Sequence, residues 1–188
     1  KNYHGWQIQP NAISIQEKLT DAINTLLQDN ISVVGAGRTD AGVHATQMFA
    51  HFDTESPLRK DFSHRLNSIL PNDIVIHQTI PVAPDAHARF DAIERSYIYK
   101  IWLGRNPFLL DTSWQLSFTN IDVDAMNAAT KILLEYEDFE CFSKVKTDVY
   151  TFLCKITHAE WILDHQTLTF HISADRFLRN MVRAIVGT

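Results

Sequence analysis

Cysteine is nearly absent from this chain: Cys141 and Cys154 are the only two among 188 residues. Neither has metal-ligand spacing and both stand among apolar neighbours, so they read as reduced core thiols, not as a disulfide framework or a zinc site. Long apolar runs are missing too. No stretch approaches the roughly 20 residues of a membrane span, and no signal-peptide pattern opens the chain. A cytoplasmic protein without a membrane partner is therefore expected. Excess positive charge is also lacking, with 17 Lys and Arg against 22 Asp and Glu and a net charge of -5. That balance argues against a broad nucleic-acid-coating surface but leaves room for a local basic groove on an acidic body. Glycine is scarce at six residues, yet three of them, Gly35, Gly37 and Gly42, fall within one run of eight.

The run is Val33-Val34-Gly35-Ala36-Gly37-Arg38-Thr39-Asp40-Ala41-Gly42-Val43-His44-Ala45. Apolar stretches at 31–34 and 47–52 read as strands on either side of it. A polar loop between two strands is where a scaffold commonly holds its chemistry. Upstream, Ser14-Ile15-Gln16-Glu17 is a capping-box pattern, and Ile15, Leu19, Ala22, Ile23 and Leu26 recur at helical spacing. Together they predict a helix over 15–28. Phe62, Leu66 and Ile69 mark a short helix stopped before Pro71. Residues 74–80 alternate and are β-branched, which predicts a strand, and residues 89–103 predict a longer one. Gly104 to Pro107 is a turn, and a linker carrying Trp114 leads to a helix capped by Asp122 with Val123, Met126, Ala129 and Leu133 on one face. Residues 139–143 read as short and extended, 144–148 as a polar loop, and 155–163 with 168–174 as a hairpin. Asp175 is placed to cap a final helix over 176–186. Hairpins mixed with helices indicate an α+β fold, and the two halves share an outline of helix, strand, polar loop, strand and helix.

Three features carry candidate chemistry. Gly35-x-Gly37 lacks the third glycine of a dinucleotide loop, since Asp40 stands there, and the Gly-Lys-Ser/Thr ending of a P-loop is absent. Asp40 with Gly42 fits an ordinary turn; Asp40 beside Arg38 equally fits a reactive carboxylate held charged by a guanidinium. Next, Arg176, Arg179 and Arg183 fall at i, i+3 and i+7, one face of the predicted last helix. Arginine's planar fork suits phosphates and buried carboxylates, and a partly buried Arg183 would require an acidic partner. A solvated helix face is the plainer reading of the same stripe. Third, Arg95-Ser96-Tyr97-x-Tyr99 puts two tyrosines on one strand face, as packing or as a platform for a base. Nine histidines show no metal-ligand spacing; His44, inside the glycine loop, is the candidate for ligand contact.

Gly35 to Ala45 closely resembles the signature loop of the tRNA pseudouridine synthase A family. Tyr3-His4-Gly5-Trp6-Gln7, Arg65 to Pro71, Ala86-His87-Ala88-Arg89-Phe90-Asp91-Ala92 and Asp175 to Arg183 are similar to further family segments, in family order. The resemblance implies an enzyme, without cofactor or metal, that isomerises uridine to pseudouridine in the anticodon stem-loop of tRNA. It implies two ferredoxin-like (RRM-like) α/β halves joined into one mixed, mainly antiparallel sheet with a central cleft, as a homodimer. The halves would be residues 1–84, carrying the catalytic loop without the family's first strand, and residues 85–188, carrying Tyr97 and Arg183 and truncated at the C-terminal end. By the same resemblance Asp40 is the nucleophile, Arg183 its partner and Tyr97 the cleft tyrosine. Arg38, His44, Arg89 and Arg179, together with Tyr97, are the RNA contacts. Whether the carboxylate attacks ribose or base stays open. A non-catalytic RNA-binding module of the same fold is the alternative; a two-carboxylate hydrolase would need a second acid near Asp40, and no spacing brings Asp53 or Glu55 there.

Overall fold

The structure is a computed structural model describing residues 2–117, 120–144 and 149–188. It is a mixed α+β chain in two compact units, one ending at Ala92 and the other beginning at Ile93. The first unit is built on α1 (Ile15–Leu27), β1 (Val34–Gly35), β2 (Ala50–His51) and α2 (Phe62–Ile69). The expected capping box starts α1: Glu17 N–H donates to Ser14 Oγ at 3.2 Å and Ser14 N–H to Glu17 Oε2 at 3.3 Å. Gln28, at φ 54°, closes the helix by donating to the Asn24 carbonyl. Leu19, Ala22 and Ile23 of α1 pack with Phe62 and Leu66 of α2 around Trp6, Ile31 and Val33. Each such side chain, fully buried, contributes roughly 1.5–3 kcal/mol.

The flanking strands are shorter than their apolar stretches. Only Val34–Gly35 pairs with Ala50–His51, antiparallel. Residues 74–80 form no strand, contrary to expectation. An amide side chain has taken the backbone there: Asn67 accepts from Ile76 N–H at 2.7 Å and donates to its carbonyl at 2.8 Å. Asn24 of α1 treats Ile31 in the same way, at 2.7 and 3.2 Å.

The second unit is a four-stranded mixed sheet in the order β4-β3-β6-β5. β3 (Arg95–Leu103) lies antiparallel to β6 (Thr167–Ala174), which pairs antiparallel with β5 (Ile156–Asp164). The predicted hairpin is present, turning through His165 at φ 53°. The long strand begins at Arg95, not at 89, because residues 86–91 form a turn. The stretch read as a linker contains β4 (Trp114–Leu116), parallel to the end of β3; three residues are too few to show alternation. α3 (Val123–Ile132) starts on the expected Asp122 cap and packs on β5. Asn127 accepts from Trp161 N–H at 2.8 Å and donates to its carbonyl at 2.9 Å, the third helical asparagine used this way. Leu168, Phe170, Ile172 and Ala174 project from β6 into a core with Phe139, Cys154, Trp161 and Met181. Cys154 is buried as expected, and burial raises its thiol pKa; Cys141 is exposed, at a 3₁₀ turn (Glu140–Phe142) where an extended segment was expected. The polar loop expected at 144–148 falls, beyond residue 144, outside the described residues.

The last helix differs most. Asp175 does not cap it: its Oδ1 accepts from Lys155 N–H at 2.8 Å and from Arg176 N–H at 2.7 Å, tying down the base of the hairpin. Residues 176–180 run as coil and turn, and α4 (Met181–Gly187) begins only after Asn180 at φ 68°. Arg176, Arg179 and Arg183 therefore do not form one helical stripe. Among the described residues, no helix is long and apolar enough to cross a membrane.

Candidate active site

Asp40 opens a turn whose closing bond runs from Val43 N–H to the Asp40 carbonyl at 3.3 Å. Gly42 stands third in that turn at φ 82°, the position of a type II turn whose positive φ favours glycine. The carboxylate residue is half-buried, while Arg38, Ala41 and His44 around it are exposed. Behind the turn lies the segment Tyr3 to Trp6. Trp6 N–H donates to the Thr39 carbonyl at 3.2 Å. Gly5, at φ 84°, presses so closely on Thr39 that a Cβ there would overlap the Thr39 carbonyl oxygen.

The bracing segment is itself fixed by the start of α1. Ile15 N–H donates to the Gly5 carbonyl at 3.2 Å and Gln16 N–H to the Trp6 carbonyl at 3.0 Å. Two of the helix's unpaired first-turn donors are thus spent on holding the loop's support. The Gln16 side chain adds a clamp, donating to Val33 at 2.6 Å and accepting from Ile8 N–H at 3.0 Å. Trp6 is buried with its indole over Gly35, where any Cβ would collide with the ring. At the front of the segment Tyr3 Oη donates to Asp73 Oδ1 at 2.6 Å, and Asn2 donates to Oδ2 at 3.1 Å. Burial and the Asp73 hydrogen bond push the Tyr3 hydroxyl up to about 12, and the Tyr3 hydrogen bond lowers Asp73.

A cleft of about 120 Å³ opens beside the loop, lined by Trp6, Gln16, Gly37, Arg38 and Arg89 among others. Two guanidinium groups around one small cleft, with amide side chains and, among the described residues, no acidic lining, suit an anion such as a phosphate. In the second unit, Tyr97 lies on the core-facing parity of β3, half-buried, with its ring edge-on to Phe177 at 5.1 Å. Arg179 is exposed in the turn before α4 and its carbonyl accepts from Lys144 N–H at 3.0 Å. Arg183 is on α4 and exposed, not partly buried as the apolar helix suggested. Among the described residues no three His, Cys, Asp or Glu side chains are grouped to hold a metal ion.

The description tRNA pseudouridine synthase fits residues 129–188 as a family match. Over its full length the chain is 48% identical to the tRNA pseudouridine synthase A of Parabacteroides distasonis, covering 75% of that relative. It is 54% identical to the enzyme of the same name from Bacteroides fragilis, again covering all of this chain and 75% of the relative. A more distant relative of that name, from Chlorobium phaeovibrioides, is 38% identical over 99% of this chain and 77% of its own length. The chain belongs to the tRNA pseudouridine synthase A family. That is a family of isomerases.

For a member of this family, the first unit brings together Asp40, Arg38 and His44 on one loop, with Arg89 joining Arg38 at the cleft. Tyr97, Arg179 and Arg183 belong to the second unit. Gly5 and Trp6 carry no signal of their own as supports of the site beyond the resemblance of their segment. Only the fold puts residue 5 against residue 39. His51 and His87, which the absence of metal-ligand spacing leaves without a role in the sequence, lie against the turn that carries Arg89.

Proposed function

We propose that the chain is a tRNA pseudouridine synthase that isomerises uridine in the anticodon stem-loop, with Asp40 as its nucleophile. The observation that carries this reading is the bracing of Asp40: a half-buried carboxylate on a tight turn, backed by Gly5 and Trp6 and adjoining a cleft with two arginines. A turn serving only to reverse the chain has no need of such support.

Uridine and pseudouridine are isomers, so nothing is added or removed overall. The N-glycosidic bond breaks, the uracil turns over, and a bond forms from its carbon to the same ribose carbon. A charged carboxylate serves by attacking and later leaving, whether at the sugar or at the base. The target base must leave its stack to reach Asp40. Arg38 and Arg89 are assigned to the phosphates flanking the extruded nucleotide, and His44 to contact with the same strand. From the second unit, Tyr97 is assigned to stack on the uracil, Arg179 to RNA, and Arg183 to the role of the carboxylate's partner. The reading extends to two ferredoxin-like halves, 1–84 and 85–188, to a homodimer that reaches the anticodon arm, and to action in the cytoplasm.

The test is to incubate the protein with unmodified tRNA and map pseudouridine along the product. Pseudouridine confined to the anticodon arm is expected. Pseudouridine elsewhere would overturn the site assignment, and tight tRNA binding with no product would favour a non-catalytic RNA-binding module.

A further inference from the structure

Arg89 reaches the cleft from a single turn, residues 87–91, in which side chains accept from the N–H groups of residues 87–90. His87 N–H donates to Asp91 Oδ2 at 2.6 Å. Ala88 N–H donates to Nδ1 of His51 at 3.1 Å. Arg89 and Phe90 N–H both donate to Nδ1 of His87, each at 3.2 Å. Phe90 and Asp91 N–H also reach the His87 carbonyl, at 3.1 and 3.0 Å. This is the logic of a helix N-cap, with an imidazole in place of the usual Ser or Asp, and a carboxylate reaching back to the capping residue. In both imidazoles Nδ1 is the ring nitrogen that faces the turn's N–H groups.

The same imidazole also braces the turn through its faces. The His87 ring stacks on Phe90 at 4.2 Å, lies 4.6 Å from the His51 ring, and the Arg89 guanidinium sits 5.7 Å over Phe90. His51 belongs to β2, whose partner β1 leads into the glycine loop, opposite Val34. The turn that carries Arg89 is thereby fastened to the ladder that leads into the loop carrying Arg38.

We propose that His87, seconded by His51, is a positioning residue that holds Arg89 in the cleft beside Arg38 as a contact to an RNA phosphate. The inference rests on the reading of this cleft as a tRNA site. Neither histidine touches the reacting atoms; both act through Arg89. Without the Nδ1 acceptor Arg89 N–H loses this partner and Phe90 N–H keeps only the His87 carbonyl, the turn opens for part of the time, and affinity falls by the fraction of time Arg89 is in place.

The experiment is equilibrium binding of unmodified tRNA across several salt concentrations, with wild type, His87→Ala, His87→Asn, Arg89→Ala and the His87→Ala/Arg89→Ala double variant. Loss of a cap of this kind predicts affinity weaker by roughly fivefold for His87→Ala. The salt slope should fall by about one in Arg89→Ala, which removes the phosphate contact, and should lie between that value and wild type in His87→Ala. The double variant should bind as Arg89→Ala does, because His87 acts only through Arg89. His87→Asn, whose amide oxygen can accept the same two N–H groups, should return to within about twofold of wild type. His87→Phe keeps the ring stacking and removes only the acceptor, and it carries the same cycle if the Ala variant does not fold. Multiplying losses in the double variant, or wild-type affinity in His87→Ala and His87→Phe, would overturn the proposal. Wild-type protein that binds tRNA without forming pseudouridine would refute the catalytic reading while leaving the cycle decisive; failure to bind tRNA at all would overturn both.

Discussion

Gly5 fills its place against Thr39 because it has no side chain: its α-carbon faces the Thr39 carbonyl oxygen with no room for a methyl group. The hydrogen bond from Trp6 N–H to the same carbonyl, at 3.2 Å, fixes the peptide immediately before Asp40. A residue thirty-five positions away in the chain thus sets where the carboxylate can stand. Gly5→Ala should displace the Thr39–Asp40 peptide, and its positive φ adds backbone strain. Misplacing a reactive group by about 1 Å can cost on the order of a hundredfold in rate. A single-turnover rate within a few-fold of wild type would remove Gly5 from the account of the site.

Gly35→Ala probes the other side of Trp6. The added methyl would meet the indole of a buried tryptophan inside a packed core. Overpacking of this sort costs about 1–3 kcal/mol, read by urea denaturation. Gly37→Ala is the control, since a Cβ there meets nothing within 4 Å. Equal stability of the two variants would show that Trp6 does not rest on Gly35.

The link between Tyr3 and Asp73 predicts a pH window. Tyr3 is raised to about 12, by burial first and then by Asp73, so its contribution is complete below the ordinary tyrosine value of about 10 and is lost as pH rises toward 12. Asp73 is lowered, chiefly by the Tyr3 hydrogen bond, so its contribution is present above the usual carboxylate value and is lost as pH falls through its folded value. The stability gap between wild type and Tyr3→Phe, measured by denaturation at each pH, should be widest from mildly acid to mildly alkaline pH and close at both extremes. A gap that stays constant across the range would contradict the assignment.

Much of this fold is legible in local sequence. Ser14 and Glu17 mark the start of α1, Asp122 marks the start of α3, and the alternation across 155–174 marks the β5–β6 hairpin. What escapes is decided by distant partners. Residues 74–80 have the composition of a strand, but Asn67 occupies the backbone of Ile76. Asp175 has the position of a cap, but its carboxylate is drawn to Lys155, twenty residues back, and the arginine stripe disappears with the helix turn it needed. At the site, the glycine loop is conspicuous through its own residues. Its support, Gly5 and Trp6, is not, because their contact with Thr39 joins segments on either side of α1 that are distant in the chain.

The helical asparagines give a prediction for the sheet. Asn127→Ala would leave the N–H and carbonyl of buried Trp161 without their side-chain partner, and an unsatisfied buried polar group costs about 1–3 kcal/mol. Asn127→Asp, which keeps the acceptor and loses the donor, should lie between wild type and Asn127→Ala in thermal unfolding. Stability unchanged in both variants would show that the pairing contributes nothing.

The most direct test of the account is Asp40→Asn, which keeps the size of the side chain and removes its charge. The single-turnover rate of pseudouridine formation should fall below detection while tRNA affinity stays within a few-fold of wild type. Product formed at the wild-type rate by the Asn variant would contradict Asp40 as the nucleophile, and with it the role given to the turn that Gly5 and Trp6 support.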